Sequence, residues 1–232
     1  MKRRDFIRNT SFALAAAATS PRLGLAADRP VRSPEKMKRV ACTTVCFKDW
    51  FPQSRVGPKA GSQRDITLLE IPDLFAERLG VHNVEVWDKH FAETSLKYCD
   101  KLRTAAERAG SKIIKIQLDA QNYDCDQDAS GAVLTGALNL SHRDKVERQR
   151  SVDFVKRWMD RAAACGATSL RANTGRSGGR EFDLDVTIDS FRQLAEHGQA
   201  IDVKILIENH GANSGKPEKL VALAKGVDSP FC

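Results

Sequence analysis

The sequence lacks both the cysteine spacing of a zinc site and the long apolar run of a membrane span. Its six cysteines are scattered, without the closely spaced pairs that hold structural zinc. The most apolar stretch, Phe12 to Ala18, is too short to cross a bilayer as a stable helix. We therefore expect no stable membrane anchor, and we interpret the cysteines as mostly small buried side chains.

The folded part of the chain also lacks an excess of charge of either sign. The whole sequence has 37 Lys/Arg and 30 Asp/Glu, a formal net charge of +7. Residues 1–39 hold ten of the basic and three of the acidic residues, so residues 40–232 hold 27 of each sign. Because binding to a phosphate backbone needs a basic surface, we expect no nucleic-acid partner.

The amino-terminal segment has the pattern of a secretory signal: a basic start, an Ala-rich apolar run and small residues at its end. The run Arg3–Ile7 resembles the twin-arginine export motif. We predict a twin-arginine signal peptide over residues 1–27, a linker over 28–38 and the folded domain over 39–232. The resemblance implies a periplasmic or secreted location and transient contact with the export machinery, which carries proteins that are already folded.

Beyond the linker, strand patterns alternate with helix patterns. The predicted strands are Val40–Phe47, Asn83–Asp88, Lys112–Leu118, Thr168–Asn173 and Val203–Glu208. The predicted helices are Glu70–Leu79, Ser95–Ala109, Ser141 to Gly166, Val186–His197 and Pro217–Lys225, and a glycine ends or follows each of them. Strict alternation of this kind predicts an α/β fold with a parallel sheet and helices on its outer face.

Two α/β architectures fit this order, an open doubly wound sheet and a closed (β/α) barrel. Open nucleotide-binding sheets usually carry a glycine-rich turn after the first strand, and residues 48–65 have no such fingerprint. Each predicted strand has one apolar and one polar face, because alternate residues share a face. On the third strand, Ile114, Ile116 and Leu118 share the apolar face, and the polar face carries Lys115, Gln117 and Asp119. The polar face of the second strand carries Glu85 and Trp87. We therefore favour a (β/α)8 TIM-barrel type, of which the chain supplies about five β/α units.

The polar side chains concentrate where the fifth strand ends. The stretch KILIENHGANSG, from Lys204 to Gly215, runs apolar and then presents Glu208 and His210. Barrel enzymes place their active sites at the carboxyl ends of the strands. Glu208 is therefore the first candidate for a functional residue.

Three segments resemble the xylose isomerase-like TIM-barrel family, the sugar phosphate isomerase/epimerase group that also includes endonuclease IV-like enzymes. They are IPDLFAERLGVHNVEVWDKHF, NLSHRDKVERQRSVDFVKRWMDRAAACGATSLRANTG and ILIENHGANSGKPEKLVAL. In that family the glutamate closing the fifth strand binds a divalent metal and can act as the base, and Glu208 matches it. Glu85 matches a second-strand glutamate whose carboxylate usually faces the pocket.

The resemblance implies proton transfer next to a carbonyl group of a small carbohydrate, helped by manganese, magnesium, zinc or cobalt. Its catalytic candidates are Glu208 and Glu85, and Glu208 is also the metal candidate. The substrate-side candidates are Arg171, Asn173, His210 and His90. Structural alternatives stay open: Glu208 or Glu85 in a salt bridge, His210 as a cap of the next turn, and His90 as a packing residue.

A closed barrel has eight β/α units, and this sequence supplies five. The family's remaining metal ligands, an aspartate, a histidine and a glutamate from later strands, have no counterparts here, and Glu208 alone cannot hold a catalytic metal. We therefore expect the amino-terminal portion of a barrel, belonging to a longer polypeptide or to a truncated product. The predicted function is that of an exported metal-dependent sugar isomerase or epimerase. The alternatives are a lyase or dehydratase on the same barrel and an inactive truncated barrel.

Overall fold

The computed structural model describes residues 33–55, 65–119, 138–175, 183–210 and 214–232. The chain divides into two compact units, Met1–Lys36 and Met37–Cys232, and the second contains the sheet. The predicted signal peptide lies outside the described residues. The predicted linker is described only from residue 33 onward, where a single helical turn, Pro34–Met37, is found.

Five parallel strands form one sheet in which they follow each other in chain order. The strands are β1 (Ala41–Thr43), β2 (Asn83–Trp87), β3 (Lys112–Leu118), β4 (Ser169–Ala172) and β5 (Lys204–Ile207). The helices that follow them in turn are α1 (Ile71–Leu79), α2 (Leu96–Arg108), α3 (Lys145–Ala164), α4 (Leu184–Ile201) and α5 (Pro217–Val227). A doubly wound sheet reverses its strand order at a switch point, and these strands do not. The α/β fold of partial-barrel type predicted from the sequence is confirmed.

The helices pack on one face of this sheet. Val84 and Val86 of β2 and Leu170 and Ala172 of β4 are fully buried, in one cluster with large helix side chains such as Trp158. Each large apolar side chain buried in this way stabilises the fold by roughly 1.5–3 kcal/mol. Of the alternate residues, Glu85, Trp87, Ser169 and Arg171 are half-buried, whereas Asn83 at the start of β2 is buried. The polar side chains therefore lie on the face away from the helices, as the alternation indicated.

Strand β3 departs from the predicted pattern at one position. The sequence placed Ile114 on the apolar face, but Ile113 is buried and Ile114 only half-buried. The cause is a register shift in the pairing of β2 with β3, where Val84 faces Ile113 but Glu85 faces Lys115. The irregularity sets the carboxylate of Glu85 directly beside the ammonium of Lys115.

The first strand is shorter than predicted. Val40–Phe47 was expected to be extended throughout, but β1 ends at Thr43 and a 3₁₀ segment, Thr44–Trp50, follows. The Thr43 hydroxyl accepts a hydrogen bond from the backbone N–H of Val45 at 3.3 Å. Such a side-chain bond offers the backbone an alternative to the strand ladder, and the apolar run alone did not reveal it.

Helix α3 begins later than predicted. The sequence placed its start at Ser141, but the structure places it after Asp144, whose carboxylate accepts hydrogen bonds from the N–H groups of Val146 and Glu147 at 2.8 and 3.1 Å. A carboxylate at this position satisfies two of the N–H groups that a helix start leaves free. Ser141 and Asp144 are both residue types that commonly begin helices, so the sequence alone did not distinguish the two starts.

Two glycines predicted to stop helices lie inside them instead. Gly198 is within α4 and Gly226 within α5. A Cβ on Gly198 would lie 2.2 Å from the carbonyl oxygen of Val203, so glycine is required there for a close approach and not for a turn. The helices end at Asp202 and Asp228, which have φ values of 56° and 48°. Among the described residues, none of the helices is long and apolar enough to cross a membrane.

Candidate active site

A cavity of about 280 Å³ opens at the carboxyl ends of the strands. Its walls come from the end of each strand or from the residues that follow it: Val45, Trp87, Gln117, Asp119, Arg171, Glu208 and His210. Barrels bind their ligands at this end of the strands. The cavity is therefore the candidate active site.

Arg171 and Glu208 form the charged centre of this wall. Arg171 lies on β4, and Glu208 follows β5, where its backbone N–H donates to the carbonyl of Ala172 at 3.1 Å. The Nη1 of Arg171 pairs with the Oε1 of Glu208. The pair is mostly shielded from water, since the two side chains are 16% and 18% exposed. The shielding makes the pair stronger than a surface ion pair of the same geometry.

Each side chain of this pair has one further polar atom without a partner among the described residues. Among the described residues, the Oε2 of Glu208 and the Nε of Arg171 are buried and make no hydrogen bond. A buried polar atom without a partner costs about 1–3 kcal/mol. Such atoms are uncommon in folded proteins, and here they lie beside a cavity that a ligand could occupy.

Asn173 and Asp119 extend this polar wall. The Nδ2 of Asn173 donates to the Oδ1 of Asp119 at 3.2 Å, and the backbone N–H of Asp119 donates to the buried carboxylate of Asp88 at 3.0 Å. The Oδ1 of Asn173 is a further buried atom without a partner among the described residues. The ends of β4 and β5 thus present two unpartnered oxygen acceptors, one from Asn173 and one from Glu208.

Glu85 lies one layer deeper and does not line the cavity. Its carboxylate pairs with the Nζ of Lys115 at 2.8 Å and accepts from the Nε2 of Gln117 at 2.8 Å. The Thr43 hydroxyl donates to the other end of the same amide, the Oε1 of Gln117, at 3.2 Å. This geometry matches the structural alternative for Glu85, a partner of a basic residue. Its link to the cavity runs through Gln117, which it holds in one orientation.

His90 is fully buried and does not line the cavity. Its ring stacks on Phe51 with the ring centres 3.7 Å apart, its Nδ1 meets the Thr44 hydroxyl at 2.9 Å and its Nε2 meets the Ser54 hydroxyl at 2.8 Å. Burial lowers the pKa of His90 to about 3, and the nearby charge of Lys89 acts in the same direction. A neutral ring with both nitrogens in use matches the packing alternative.

His210 combines two features. It is exposed and lines the cavity, while its backbone N–H donates to the Ser214 hydroxyl at 3.0 Å and its carbonyl accepts from the same hydroxyl at 2.7 Å. The backbone of His210 therefore serves the turn that precedes α5, and its side chain is available to a ligand.

The structure brings some of the predicted site residues together at the cavity and adds residues that were not predicted. Of the six sequence candidates, Arg171, Glu208 and His210 line the cavity, Asn173 lies beside it, and Glu85 and His90 do not line it. Four wall residues were not proposed as site residues: Val45, Trp87, Gln117 and Asp119. The alternation had placed the last three on the polar faces of β2 and β3. Strand alternation was therefore the signal that could have identified them, but it does not indicate which positions on a polar face line a cavity.

The described residues contain no group of three or more His, Cys, Asp or Glu side chains placed to hold an ion together. Two unpartnered acceptors, the Oε2 of Glu208 and the Oδ1 of Asn173, are oxygens of the kind that magnesium and manganese prefer. Further ligands are needed to complete a site.

The comparisons with known proteins agree with this architecture. Residues 74–232 match the model of the xylose isomerase-like TIM barrel family. The chain belongs to this family. No match was found among curated proteins.

Solved structures of this barrel type share the fold at low sequence identity. A D-psicose 3-epimerase solved in the presence of D-fructose is 17% identical with a TM-score of 0.55, over 72% of this chain and 56% of that one. A xylose isomerase domain-containing protein from Salmonella typhimurium LT2 is 15% identical with a TM-score of 0.56, and the match covers 84% of this chain and 59% of that one. A protein described as the probable 3-DHS dehydratase of Bacillus anthracis is 14% identical with a TM-score of 0.53, and the match covers 82% of this chain and 60% of that one. The chain therefore spans less than two thirds of the length of each of these structures.

Proposed function

We propose that the chain forms part of an exported, metal-dependent sugar isomerase or epimerase that moves a proton next to a carbonyl group. The observation that carries the proposal is the state of Glu208: one carboxylate oxygen is held by Arg171 and the other is buried without a partner beside the cavity. Family membership supports it, and the D-psicose 3-epimerase with the same fold is in keeping with a sugar substrate.

Arg171 and Glu208 have different roles in the proposed reaction. Arg171 fixes one oxygen of Glu208, so that Oε2 keeps a single orientation toward the ligand. Glu208 would hold the cation through its carboxylate and would take the proton from the substrate carbon, the two roles that the family resemblance implies for this residue. A bound manganese, magnesium, zinc or cobalt ion would polarise the substrate carbonyl and stabilise the negative charge that develops on it.

The remaining wall suits a small polyhydroxylated molecule. Asp119 accepts and Gln117 both accepts and donates hydrogen bonds, which suits hydroxyl groups, and Trp87 offers an apolar ring surface to the C–H groups of a sugar. We propose that His210 contacts the substrate from the rim, while Glu85 acts through Gln117.

The test is hydrogen exchange at the carbon next to the carbonyl. The purified native protein is incubated with MnCl2 and ketohexoses, including D-fructose, in D2O, and the sugars are followed by NMR. We expect deuterium to enter next to the carbonyl, and we expect the Glu208→Gln variant to lose the exchange. Glu196→Gln, which changes an exposed glutamate on α4, is the matched control and should keep it. Equal exchange by wild-type protein and Glu208→Gln would remove Glu208 from the mechanism.

A lyase or dehydratase is the second candidate. Elimination begins with the same proton abstraction, so the free oxygen of Glu208 serves it equally well, and the Bacillus anthracis dehydratase shares the fold. The two reactions differ in their products. Exchange of hydrogen without loss of water favours isomerisation, whereas a new ultraviolet absorption from a conjugated carbonyl, with loss of water, favours elimination.

We further propose that residues 1–27 are a twin-arginine signal that directs the folded protein to the periplasm or the outside of the cell. The support is the arginine pair, Arg3 and Arg4, followed by an Ala-rich run. The test compares the mature-size protein in periplasmic and cytoplasmic fractions for wild type and for the double variant Arg3→Lys/Arg4→Lys. Export of wild type and retention of the variant are expected, and equal export of both overturns the proposal.

A further inference from the structure

Two buried side chains, those of Thr44 and Asp88, hold the backbone of residues that line the cavity. The Thr44 hydroxyl accepts a hydrogen bond from the backbone N–H of Trp87 at 2.9 Å. In the same way, the Asp88 carboxylate accepts one from the backbone N–H of Asp119 at 3.0 Å. The two accepting residues are 0% and 1% exposed, so water does not compete for either bond. Trp87 and Asp119 both belong to the cavity wall, and each is therefore fixed from the strand before it.

The two hydrogen bonds occupy equivalent places in the sheet. The pairing of β1 with β2 ends at Thr43 and Glu85. The pairing of β2 with β3 ends at Trp87 and Gln117. In each case the N–H that donates lies two residues beyond the last pair, and the side chain that accepts lies one residue beyond it. A parallel ladder that continued regularly would bring each N–H to the backbone carbonyl of the accepting residue, and here its side chain takes that place.

This exchange of a carbonyl for a side chain lets the chain turn away from the sheet while the contact is kept. Both accepting residues begin a 3₁₀ segment, Thr44–Trp50 and Asp88–His90. The carbonyl of Asp88 is used inside its own turn, where it accepts from the N–H of Phe91 at 3.2 Å. The backbone can therefore leave the strand direction at the cavity without releasing the next strand.

The Thr44 hydroxyl is itself held in one orientation by His90. The Ser54 hydroxyl donates its one proton to the carbonyl of Lys48 at 2.7 Å, so it accepts from the Nε2–H of His90 at 2.8 Å. A neutral ring with its proton on Nε2 accepts at Nδ1. The Thr44 hydroxyl therefore donates to Nδ1 at 2.9 Å, which leaves its lone pairs to the N–H of Trp87.

We propose that Thr44 and Asp88 are positioning residues of the candidate active site. Thr44 sets the ring of Trp87 against the ligand, and neither Thr44 nor Asp88 lines the cavity itself. Asp88 does the same for the carboxylate of Asp119, which accepts in turn from the Nδ2 of Asn173 at 3.2 Å. A displacement of about 1 Å in a site can cost about 100-fold in rate. The effect on a sugar rests on the proposed function, whereas the two hydrogen bonds do not.

The first test measures backbone hydrogen exchange, which does not depend on turnover of any sugar. Exchange of the amides of the purified native protein in D2O is followed residue by residue by NMR. Thr44→Val keeps the shape of the side chain but removes the acceptor, and exchange at Trp87 should become about tenfold faster or more. Asp88→Ala should do the same at Asp119. Each variant should leave the other amide as in wild type, and unchanged exchange at the amide that each is expected to release would overturn the proposal.

Two further variants separate this effect from a general loss of structure. Thr187→Val removes another buried threonine hydroxyl, on α4, and should change exchange at neither Trp87 nor Asp119. Thr44→Ser keeps the hydroxyl and should keep slow exchange at Trp87. Fast exchange at Trp87 in Thr44→Ser would contradict the role of this hydroxyl.

A measurement on the wild-type protein covers the case in which Asp88→Ala fails to fold. A scalar coupling across the hydrogen bond, between the amide nitrogen of Asp119 and the carboxylate carbon of Asp88, can be detected by NMR in isotope-labelled protein. We expect this coupling to be present. Its absence from a spectrum that shows the couplings across the β2–β3 ladder would remove Asp88 from the proposal.

The sugar assay tests whether Asp88 acts through the cavity wall. Asp88→Ala should raise KM more than it lowers kcat, because Asp119 faces the hydroxyl groups of the ligand. In an Asp119→Ala background the same substitution should have no further effect, and an added loss would contradict a positioning role. If the wild-type protein exchanges no hydrogen in the sugar, the proposed function fails, and the amide measurements still decide the roles of Thr44 and Asp88.

Discussion

Arg171 and Glu208 pair across the ends of neighbouring strands, and each keeps one buried polar atom that no described residue satisfies. The pair therefore does two things. It neutralises a carboxylate that burial would otherwise destabilise, and it leaves the Oε2 of Glu208 beside the cavity without a partner among the described residues.

Replacing Arg171 tests the structural half of this relationship. Arg171→Met leaves the Glu208 carboxylate without its partner, and the free energy of unfolding should fall by about 1–3 kcal/mol because the carboxylate stays largely buried. Urea denaturation measures it. Arg150→Met, which breaks an exposed pair with Glu147, should cost less than about 0.5 kcal/mol. In the double variant Arg171→Met/Glu208→Gln the loss should be partly recovered, and equal losses for single and double variants would contradict a pairwise interaction.

Removing the metal or its proposed ligand tests the functional half. Chelation with EDTA should abolish hydrogen exchange in the sugar, and MnCl2 should restore it. Glu208→Gln should weaken manganese binding, measured by calorimetry, by at least about tenfold, and should slow exchange by about 100-fold or more. Glu196→Gln should match wild type in both assays. Exchange that survives exhaustive chelation would contradict metal dependence while leaving the fold assignment intact.

Because His90 is buried and neutral, we expect the protein to lose stability in mild acid. Its pKa is about 3 when folded and about 6.5 when unfolded, so below pH 6.5 the unfolded chain binds a proton that the folded protein excludes. The stability is fully present above pH 6.5 and is lost progressively as the pH falls toward 3. Between pH 7 and pH 5 the loss should be about 2 kcal/mol. Urea denaturation at several pH values measures it.

The matched variants for this prediction are His90→Gln and His82→Gln. The first removes the titrating group from the buried site and should flatten the pH dependence, whatever its effect at pH 7. The second changes an exposed histidine and should leave the slope as it is in wild type. An unchanged slope in His90→Gln would mean that another group causes the acid sensitivity.

Gly198 tests the packing between α4 and β5. Alanine is normally the better helix residue, by up to about 1 kcal/mol. Here its Cβ would lie 2.2 Å from the Val203 carbonyl oxygen and 2.8 Å from the Met159 side chain. Gly198→Ala should therefore lower the free energy of unfolding by about 1–3 kcal/mol, as overpacking does. Gln199→Ala, at the exposed neighbouring position, should change it little, and a stabilised Gly198→Ala would disprove the close contact.

Local patterns predicted the elements better than their ends. The Ile-rich run of β3 was placed correctly because an apolar strand between a glycine and a polar residue has few alternatives. The start of α3 was missed because Ser141 and Asp144 are both acceptable caps. Only the hydrogen bonds that the Asp144 carboxylate accepts from backbone N–H groups distinguish them. Gly198 was misread for a similar reason, since a glycine that ends a helix and one that admits a neighbouring backbone look identical in sequence.

The candidate site divides along the same line. Glu208 and Arg171 could be predicted because strand alternation and the carboxyl-end rule place them on one edge. A salt bridge of Glu85 was an alternative that the sequence left open, and only the structure identifies Lys115 as its partner. This pair depends on the register between β2 and β3, which shifts by one residue at Glu85. A shift of this kind results from pairing between strands and has no signature in either strand alone.

The sequence by itself determined the alternation of five strands and five helices, the face of each strand that turns to the helices, and the acidic residue that closes the fifth strand. These follow from periodicity, which is a local property of the chain. Only the tertiary structure decided which polar groups share a cavity, which of them neutralise each other and which are left without a partner. The reason is that hydrogen bonds and ion pairs are set by distances of a few ångströms between strands that lie far apart in the sequence.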